Sequence, residues 1–263
     1  MKENMFSLKN KIALVTGGAG LLAAEFAIAL REFGATVILA DINIDGCNKN
    51  IERINLDGIE SATLDVTSKD NWEKVLEEII NKYNKIDILV NSAAFTNQTK
   101  TSSFNKTFEN VELDDWNKML DVNLTGSFLG CQAVSKYMIN QKSGSIINIA
   151  SLYGLVSPNH KMYPGTGIVQ PVAYTVSKHG IIGLTKYAAT WLAEKGIRVN
   201  SITPGGIYNN HDELFLERFS NLSPNGRMTE KEELRGAIVY LASEASSSVV
   251  GHNLVVDGGW TVW

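Results

Sequence analysis

A three-layer α/β fold on a doubly wound parallel sheet of about seven strands is predicted by three observations. Seven short runs rich in Val, Ile and Leu recur along the chain: "KIALVTG", "ATVILAD", "SATLDVT", "KIDILVNSA", "GSIINIAS", "IRVNSITPGG" and "HNLVVDGG". Stretches with helical periodicity separate them, near 20–31, 43–55, 69–83, 114–140, 173–195 and 230–243. The runs are apolar throughout instead of alternating, as parallel strands covered by helices on both faces must be. At 263 residues the chain fits one α/β unit, and a single domain over 1–263 is expected.

Composition narrows the partners. The formal net charge of −4 comes with no basic block, which argues against nucleic acid or an anionic membrane surface. No apolar run approaches the roughly 18 residues that a membrane span needs. The opening "MKENMFSLKN" lacks the apolar core of a secretory signal, so a cytoplasmic protein is expected. Cys47 and Cys131 stand far apart without a Cys-x-x-Cys pattern and read as buried thiols. The four His, at 160, 179, 211 and 252, have no ligand spacing, and no catalytic metal is expected.

Two segments, 95–112 and 152–172, break the strand-helix rhythm, and together with 207–228 they are expected to be substrate loops. Residues 95–112 are polar and rich in Thr and Asn, 152–172 carry three of the five prolines, and 207–228 follow the Pro-Gly of the sixth run. All three leave strand ends, and ligands bind an open parallel sheet at the carboxyl ends of its strands.

The first strand runs into "VTGGAGLLAAEF", where Gly17, Gly18 and Gly20 precede a helix. Such a turn lets backbone N–H groups and a positive helix end approach a pyrophosphate, although glycines also serve tight turns. Asp41 closes the second strand, where a carboxylate accepts bonds from a ribose diol and repels a 2′-phosphate. Neither Ile42 nor Asn43 offers a positive charge, so NAD is expected as cofactor over NADP. In "VAYTVSKHG", Tyr174 and Lys178 are four apart and share a helix face. The segment is too apolar and small for a solvated face, and an ammonium beside a phenol favours phenolate, which suits a general acid/base.

In sequential order, "TGGAGLLA", "LDVT", "VNSAA", "DVNLTGSF", "INIAS", "YTVSK", "ITPGG" and "VVDGGW" resemble the short-chain dehydrogenase/reductase family from about residue 8 onward. The resemblance implies a Rossmann-type fold and a small-molecule substrate. It implies cofactor contacts from Gly17, Gly20, Leu21 and Leu22 in the turn, and Asp65 and Val66 at the adenine. Further contacts follow at Asn91 and Ala93 after the fourth strand, at Tyr174 and Lys178, and at Pro204, Gly205 and Ile207. By the same resemblance Tyr174 exchanges a proton with the substrate oxygen, Ser151 polarises that oxygen, Lys178 holds the nicotinamide ribose, and Asn123 supports a water relay. Homodimers or homotetramers are the family's habit.

The chain also departs from the pattern. Leu21 and Ala23 replace glycines, Ser92 and Ala94 follow Asn91, and Asn209 stands where a Thr is common. Twenty-two residues separate Ser151 from Tyr174, so an insertion is expected around "SPNHKMYPGT" as part of the substrate wall. Tyr153 and Tyr163 suit substrate packing better than proton transfer. His160, Lys161, His211 and Arg227 read as solvated loop charges or as anion binders. Asn97, Gln98, Asn159, His160 and Asn210 suggest a hydroxyl-rich substrate. The text looks most like the flagellin-modification branch of bacterial amino-sugar pathways, which implies a sugar or sugar phosphate. A gluconate-type sugar-acid dehydrogenase and a catalytically silent NAD-sensing module are the alternatives.

Overall fold

The computed structural model describes residues 4–95 and 106–263, and each of the seven apolar runs overlaps a strand in it. They are β1 (Ile12–Thr16), β2 (Thr36–Asp41), β3 (Ile59–Thr63), β4 (Ile88–Asn91), β5 (Gly144–Ile149), β6 (Ile197–Pro204) and β7 (Asn253–Val256). One sheet holds them in the order β3-β2-β1-β4-β5-β6-β7, and every pairing is parallel. From β1 the chain winds outward one way through β2 and β3, and from β4 the other way. The loops after β1 and β4 therefore diverge and leave a crevice at the carboxyl edge.

Unbroken apolarity follows from this layering, because neighbouring residues on a strand face opposite sides. Val15, Leu39, Val90 and Ile147 pack with Phe26 and Leu30 of α1 (Leu21–Glu32) and Ile238 and Leu241 of α8 (Arg235–Ala242). Their neighbours Leu14, Ile38, Leu89 and Ile146 pack on the other face. There they meet Trp72 and Leu76 of α3 (Lys69–Tyr83), Val134 of α5 (Gly126–Gln141) and Leu192 of α6 (Val172–Leu192).

Three differences from the sequence reading bear on the site. The third strand ends at Thr63, so Asp65 and Val66 lie beyond it. The helix expected over 114–140 is two helices, α4 (Leu113–Leu120) and α5, joined by a π-helical turn over Asp121–Thr125 that carries Asn123. Such turns push one residue out of the ladder, often at functional positions. The segment 207–228 contains α7 (Glu213–Leu222), whose N-cap Asp212 accepts from the Phe215 N–H at 2.9 Å. Phe215 and Phe219, one turn apart and both buried, are the pattern by which this helix could have been found. Of the expected loop 95–112, residues 96–105 with Asn97 and Gln98 lie outside the described residues.

Cys47, on α2 (Ile44–Ile54), and Cys131 are both buried, and burial pushes each thiol up to about 12. No helix among the described residues is long and apolar enough to cross a membrane. Trp72 joins three parts of the lower layer: its Nε1–H donates to Val66 O at 3.0 Å, and a Cβ on Gly130 of α5 would come within 2.9 Å of its ring. Truncating it leaves a large void and an unpaired carbonyl. Trp72→Ala should lower the unfolding free energy by about 3–5 kcal/mol in denaturant titration, and a loss under 1 kcal/mol would contradict this packing.

Candidate active site

At the crevice the turn after β1 is shaped by contact. Gly17 has φ +71°, and a Cβ there would fall 2.8 Å from the Ala93 Cα, so only glycine lets the loops after β1 and β4 approach. Gly18 serves packing: its N–H donates to Ala40 O at 3.0 Å, and a Cβ would meet the Cys47 sulfur at 2.8 Å. Gly20 is the N-cap of α1, with no side-chain cap and no acidic residue in the first turn. The first N–H groups of α1 therefore lack side-chain partners at an end that carries partial positive charge. Leu21 does not undo the turn, which Gly20 N–H closes onto Gly17 O at 2.8 Å. Two supports were not visible in the motif. Asn50 of α2 donates to Gly18 O at 2.8 Å and Gly20 O at 3.3 Å, and the Thr16 hydroxyl accepts from Ser92 and Ala93 N–H at 3.1 Å each.

Asp41 ends β2 beside this turn. Its carboxylate accepts from Ala19 N–H at 3.2 Å and Asn43 N–H at 2.9 Å, which leaves lone pairs for a diol. The uncapped helix end and this carboxylate fit the pyrophosphate and ribose of a dinucleotide. Asp65 uses Oδ1 locally, accepting from Thr67 N–H at 2.9 Å and its hydroxyl at 2.7 Å, while Val66 is buried. The Asn91 side chain is also buried and donates to Asn148 Oδ1 at 2.8 Å, so only its main chain faces the loop after β4.

One cavity of about 640 Å³ spans the crevice. Gly17, Gly20, Leu21 and Leu22 line one end, Ser151, Tyr174 and Lys178 another wall, and Pro204, Gly205 and Ile207 the edge after β6. Asp41, Asp65, Val66, Asn91, Ala93 and Asn123 stand outside that lining. Asn123 is tied elsewhere: Oδ1 accepts from Phe95 N–H at 2.6 Å, and Nδ2 donates to Phe95 O and Ser177 Oγ, each at 3.3 Å.

Ser151 follows β5, and its Oγ accepts from Tyr153 N–H at 3.2 Å. Lys178 is buried, and its Nζ donates to Ile149 O at 2.8 Å while lying 5.6 Å from the Tyr174 ring centre. Burial lowers the Lys178 ammonium to about 8. The Tyr174 ring reaches the cavity, but its hydroxyl is desolvated, which raises the phenol above its ordinary value while a hydrogen bond with Ser151 opposes the rise. The sequence reading had the ammonium lowering the phenol. In the folded chain desolvation moves both groups toward their neutral forms, and for the phenol it is the hydrogen bond with Ser151 that opposes the shift.

The rest of the lining is aromatic. Tyr153 and Tyr163 share a hydroxyl–hydroxyl hydrogen bond of 2.5 Å, and Phe215, Phe219 and His211 continue the wall. His211 stacks on Phe215 at 5.0 Å and accepts from Asn209 N–H at 3.3 Å, and burial lowers its pKa. Arg227 pairs with Glu233 at 2.7 Å, and His160 and Lys161 are exposed away from the lining. Asn159 caps the turn His160–Met162, whereas Asn209 and Asn210 do line the cavity. Trp260 is buried against Tyr153 and Phe219, and Trp263 is exposed.

The fold and this cavity define an enzyme of the dinucleotide-dependent oxidoreductase class. A family model described as Enoyl-(Acyl carrier protein) reductase matches residues 18–261. The chain is 35% identical over 263 residues to the 3-oxoacyl-(acyl-carrier-protein) reductase FabG of Thermotoga maritima, covering 97% of this chain and 99% of the relative. It superposes with TM-score 0.87 and 29% identity on a gluconate 5-dehydrogenase from Burkholderia cenocepacia in complex with NADP and tartrate, covering 98% of both chains. A short-chain dehydrogenase from Leptospira borgpetersenii with bound NAD+ superposes with TM-score 0.86 and 30% identity, covering 99% of this chain and 97% of that one. The chain belongs to the short-chain dehydrogenase/reductase family, whose members act on alcohols and ketones with a nicotinamide cofactor.

Desolvation of Lys178 has a measurable consequence. The folded amine loses its proton near pH 8 and the unfolded one near 10.5, so the chain takes up a proton on unfolding between those values. Stability from this site is lowest below pH 8 and rises through the window. The unfolding free energy of wild type minus that of Lys178→Met should increase by up to about 3 kcal/mol from pH 8 to 10.5. A flat difference in cofactor-free denaturation would show that Lys178 is not desolvated.

Proposed function

We propose that the protein is an NAD-dependent oxidoreductase that interconverts a secondary alcohol and a ketone on an uncharged, hydroxyl-rich substrate of the sugar or polyol class. One observation carries the reading: Ser151, Tyr174 and Lys178 line the same cavity as the glycine turn, with Asp41 beside that turn. When bound, the nicotinamide gives or takes a hydride and, oxidised, brings a positive charge into the cavity. Tyr174 passes a proton to or from the reacting oxygen. Ser151, oriented by the Tyr153 N–H, polarises that oxygen. Lys178, held by Ile149 O, holds the ribose of the cofactor and supplies a proton-exchanging amine near the working pH. The Asn123 side chain, committed to Phe95 and Ser177, fixes the loop after β4 against α6 and so sets the position of Tyr174. Any water relay at Asn123 runs beside those bonds.

Polar amides at Gln170, Asn209 and Asn210 across from an aromatic wall support a sugar or polyol, which offers hydroxyl edges and apolar C–H faces. The likeness to a gluconate 5-dehydrogenase favours a sugar acid as the second reading, while the resemblance to the flagellin-modification branch favours an amino sugar. The segments 152–172 and 207–228 form the substrate wall in either case. Exposed Tyr187 and Trp191 on α6 support association through that helix. A cofactor-sensing module without catalysis would have no need of the Ser151, Tyr174 and Lys178 set.

Tyr174→Phe removes the transferable proton and leaves the ring. It should lower turnover by about a thousandfold while NAD binding, followed by fluorescence quenching, stays within a few-fold. Retained turnover would sink the assignment. Asp41→Ala removes the carboxylate that would face a 2′-phosphate. The ratio of kcat/KM with NAD to that with NADP should fall by about tenfold or more, and an unchanged ratio would place cofactor choice elsewhere.

A further inference from the structure

The pair of phenols beyond the expected catalytic set carries an inference about substrate class, one that rests on the oxidoreductase reading above. Tyr153 lies two residues after Ser151, and Tyr163 comes from the insertion. Both are more than nine-tenths buried, yet both line the cavity. Two hydroxyls that share one hydrogen bond own two hydrogens and spend one on each other. Among the described residues no acceptor takes the second, and a desolvated hydroxyl without a partner is costly. Neither phenol serves as a proton donor or acceptor near neutral pH, because burial pushes Tyr163 up to about 12 and Tyr153 higher still. The pair is therefore a fixed neutral group that can donate to an oxygen and accept from a hydroxyl.

Its position is also fixed. The Arg218 guanidinium of α7 donates to Met162 O at 2.9 Å and to Pro164 O, clasping the insertion on both sides of Tyr163. The Thr166 hydroxyl donates to Tyr163 O at 2.7 Å, and the Tyr163 ring lies 6.1 Å from Phe215. Tyr153 is braced by Trp260, edge to face at 6.1 Å. Tyr174 packs against the same cluster as both phenols, and Ser151 is two residues from Tyr153, so the pair sits on the side of the cavity where the proton-transferring groups are expected.

We propose that the Tyr153–Tyr163 pair is a specificity-determining site that receives a second oxygen of the substrate, adjacent to the reacting one, and that the enzyme selects vicinal diols and α-hydroxyketones over simple alcohols and ketones. The insertion exists to deliver Tyr163 to that oxygen. A pocket built to hydrogen-bond a hydroxyl rejects the analogue that lacks it, because its own polar groups are then left unpaired.

The test compares trans-1,2-cyclohexanediol with cyclohexanol, and 2,3-butanediol with 2-butanol, in the wild type, Tyr163→Phe and Tyr153→Phe. Both variants keep the ring and its packing, and cofactor quenching together with near-ultraviolet dichroism checks that they fold. Wild type should prefer each diol in kcat/KM, and Tyr163→Phe should shrink that preference by about fivefold or more, mainly through KM. Tyr153→Phe should shrink it too, by releasing its partner. A merely structural role would change both members of each pair alike and leave the ratio intact, which would overturn the proposal. No diol preference in the wild type would overturn it as well. A wild type that turns over none of the four compounds and shows no cofactor quenching would instead overturn the oxidoreductase reading and this inference with it.

Discussion

Burial of a parallel sheet on both faces is the constraint on which the rest of the molecule depends. Because helices cover both faces of the strands, polar residues within them, such as Asn148, are spent on hydrogen bonds inside the fold, and groups free for a ligand stand at strand ends, where the backbone leaves the ladder. Because the strand order reverses between β1 and β4, the chain leaves them toward opposite ends of the sheet, and a crevice opens beyond the point where their loops touch at Gly17. Gly17 closes the base of that gap, and the Thr16 hydroxyl pins the loop after β4 to β1. The crevice is a product of topology, its base closed by one glycine and one hydroxyl.

Desolvation is the second organising effect. It suppresses Cys47 and Cys131 as thiolates, holds Tyr153 and Tyr163 neutral, and brings Lys178 down toward neutral pH. Burial thus silences four groups and brings the Lys178 amine close to the working pH. What distinguishes Lys178 is its single fixed acceptor, Ile149 O, which gives the amine a defined place without a carboxylate to neutralise it. Tyr174, close by, is held protonated by the same effect, opposed only by Ser151. Charge brought by a cofactor would therefore meet a site with little of its own screening.

The cavity has two kinds of wall. The end at the glycine turn is largely main chain, glycine and helix N–H groups, with the strand-end carboxylate of Asp41 beside it. The other end is aromatic side chain from the turn after β5, the insertion and α7, backed by Trp260 and clasped by Arg218. The first wall uses groups that any chain of this topology presents. The second depends on three segments distant in sequence meeting at one place, which is where members of one fold can diverge in substrate.

Much was legible beforehand because it is local. Continuous apolar runs, the glycine turn, Asp41 at a strand end and the Tyr174–Lys178 spacing are short-range signals, and all but the third run, whose strand starts two residues earlier and ends at Thr63, appear where expected. The π-helical turn at Asn123 was not legible, since a single-residue slip in a helix leaves the apolar period almost unchanged. Helix α7 was missed although Asp212 and the Phe215–Phe219 spacing signalled it. Asn50, Thr16 and the Tyr153–Tyr163 bond had no signal, because their partners lie across the fold. The amino-acid sequence by itself determined the fold class and the family set, through periodicity and local turns. Only the tertiary structure decided the electrostatic state of Lys178 and Tyr174 and the makeup of the substrate wall, because desolvation and long-range contact exist only once the layers have packed.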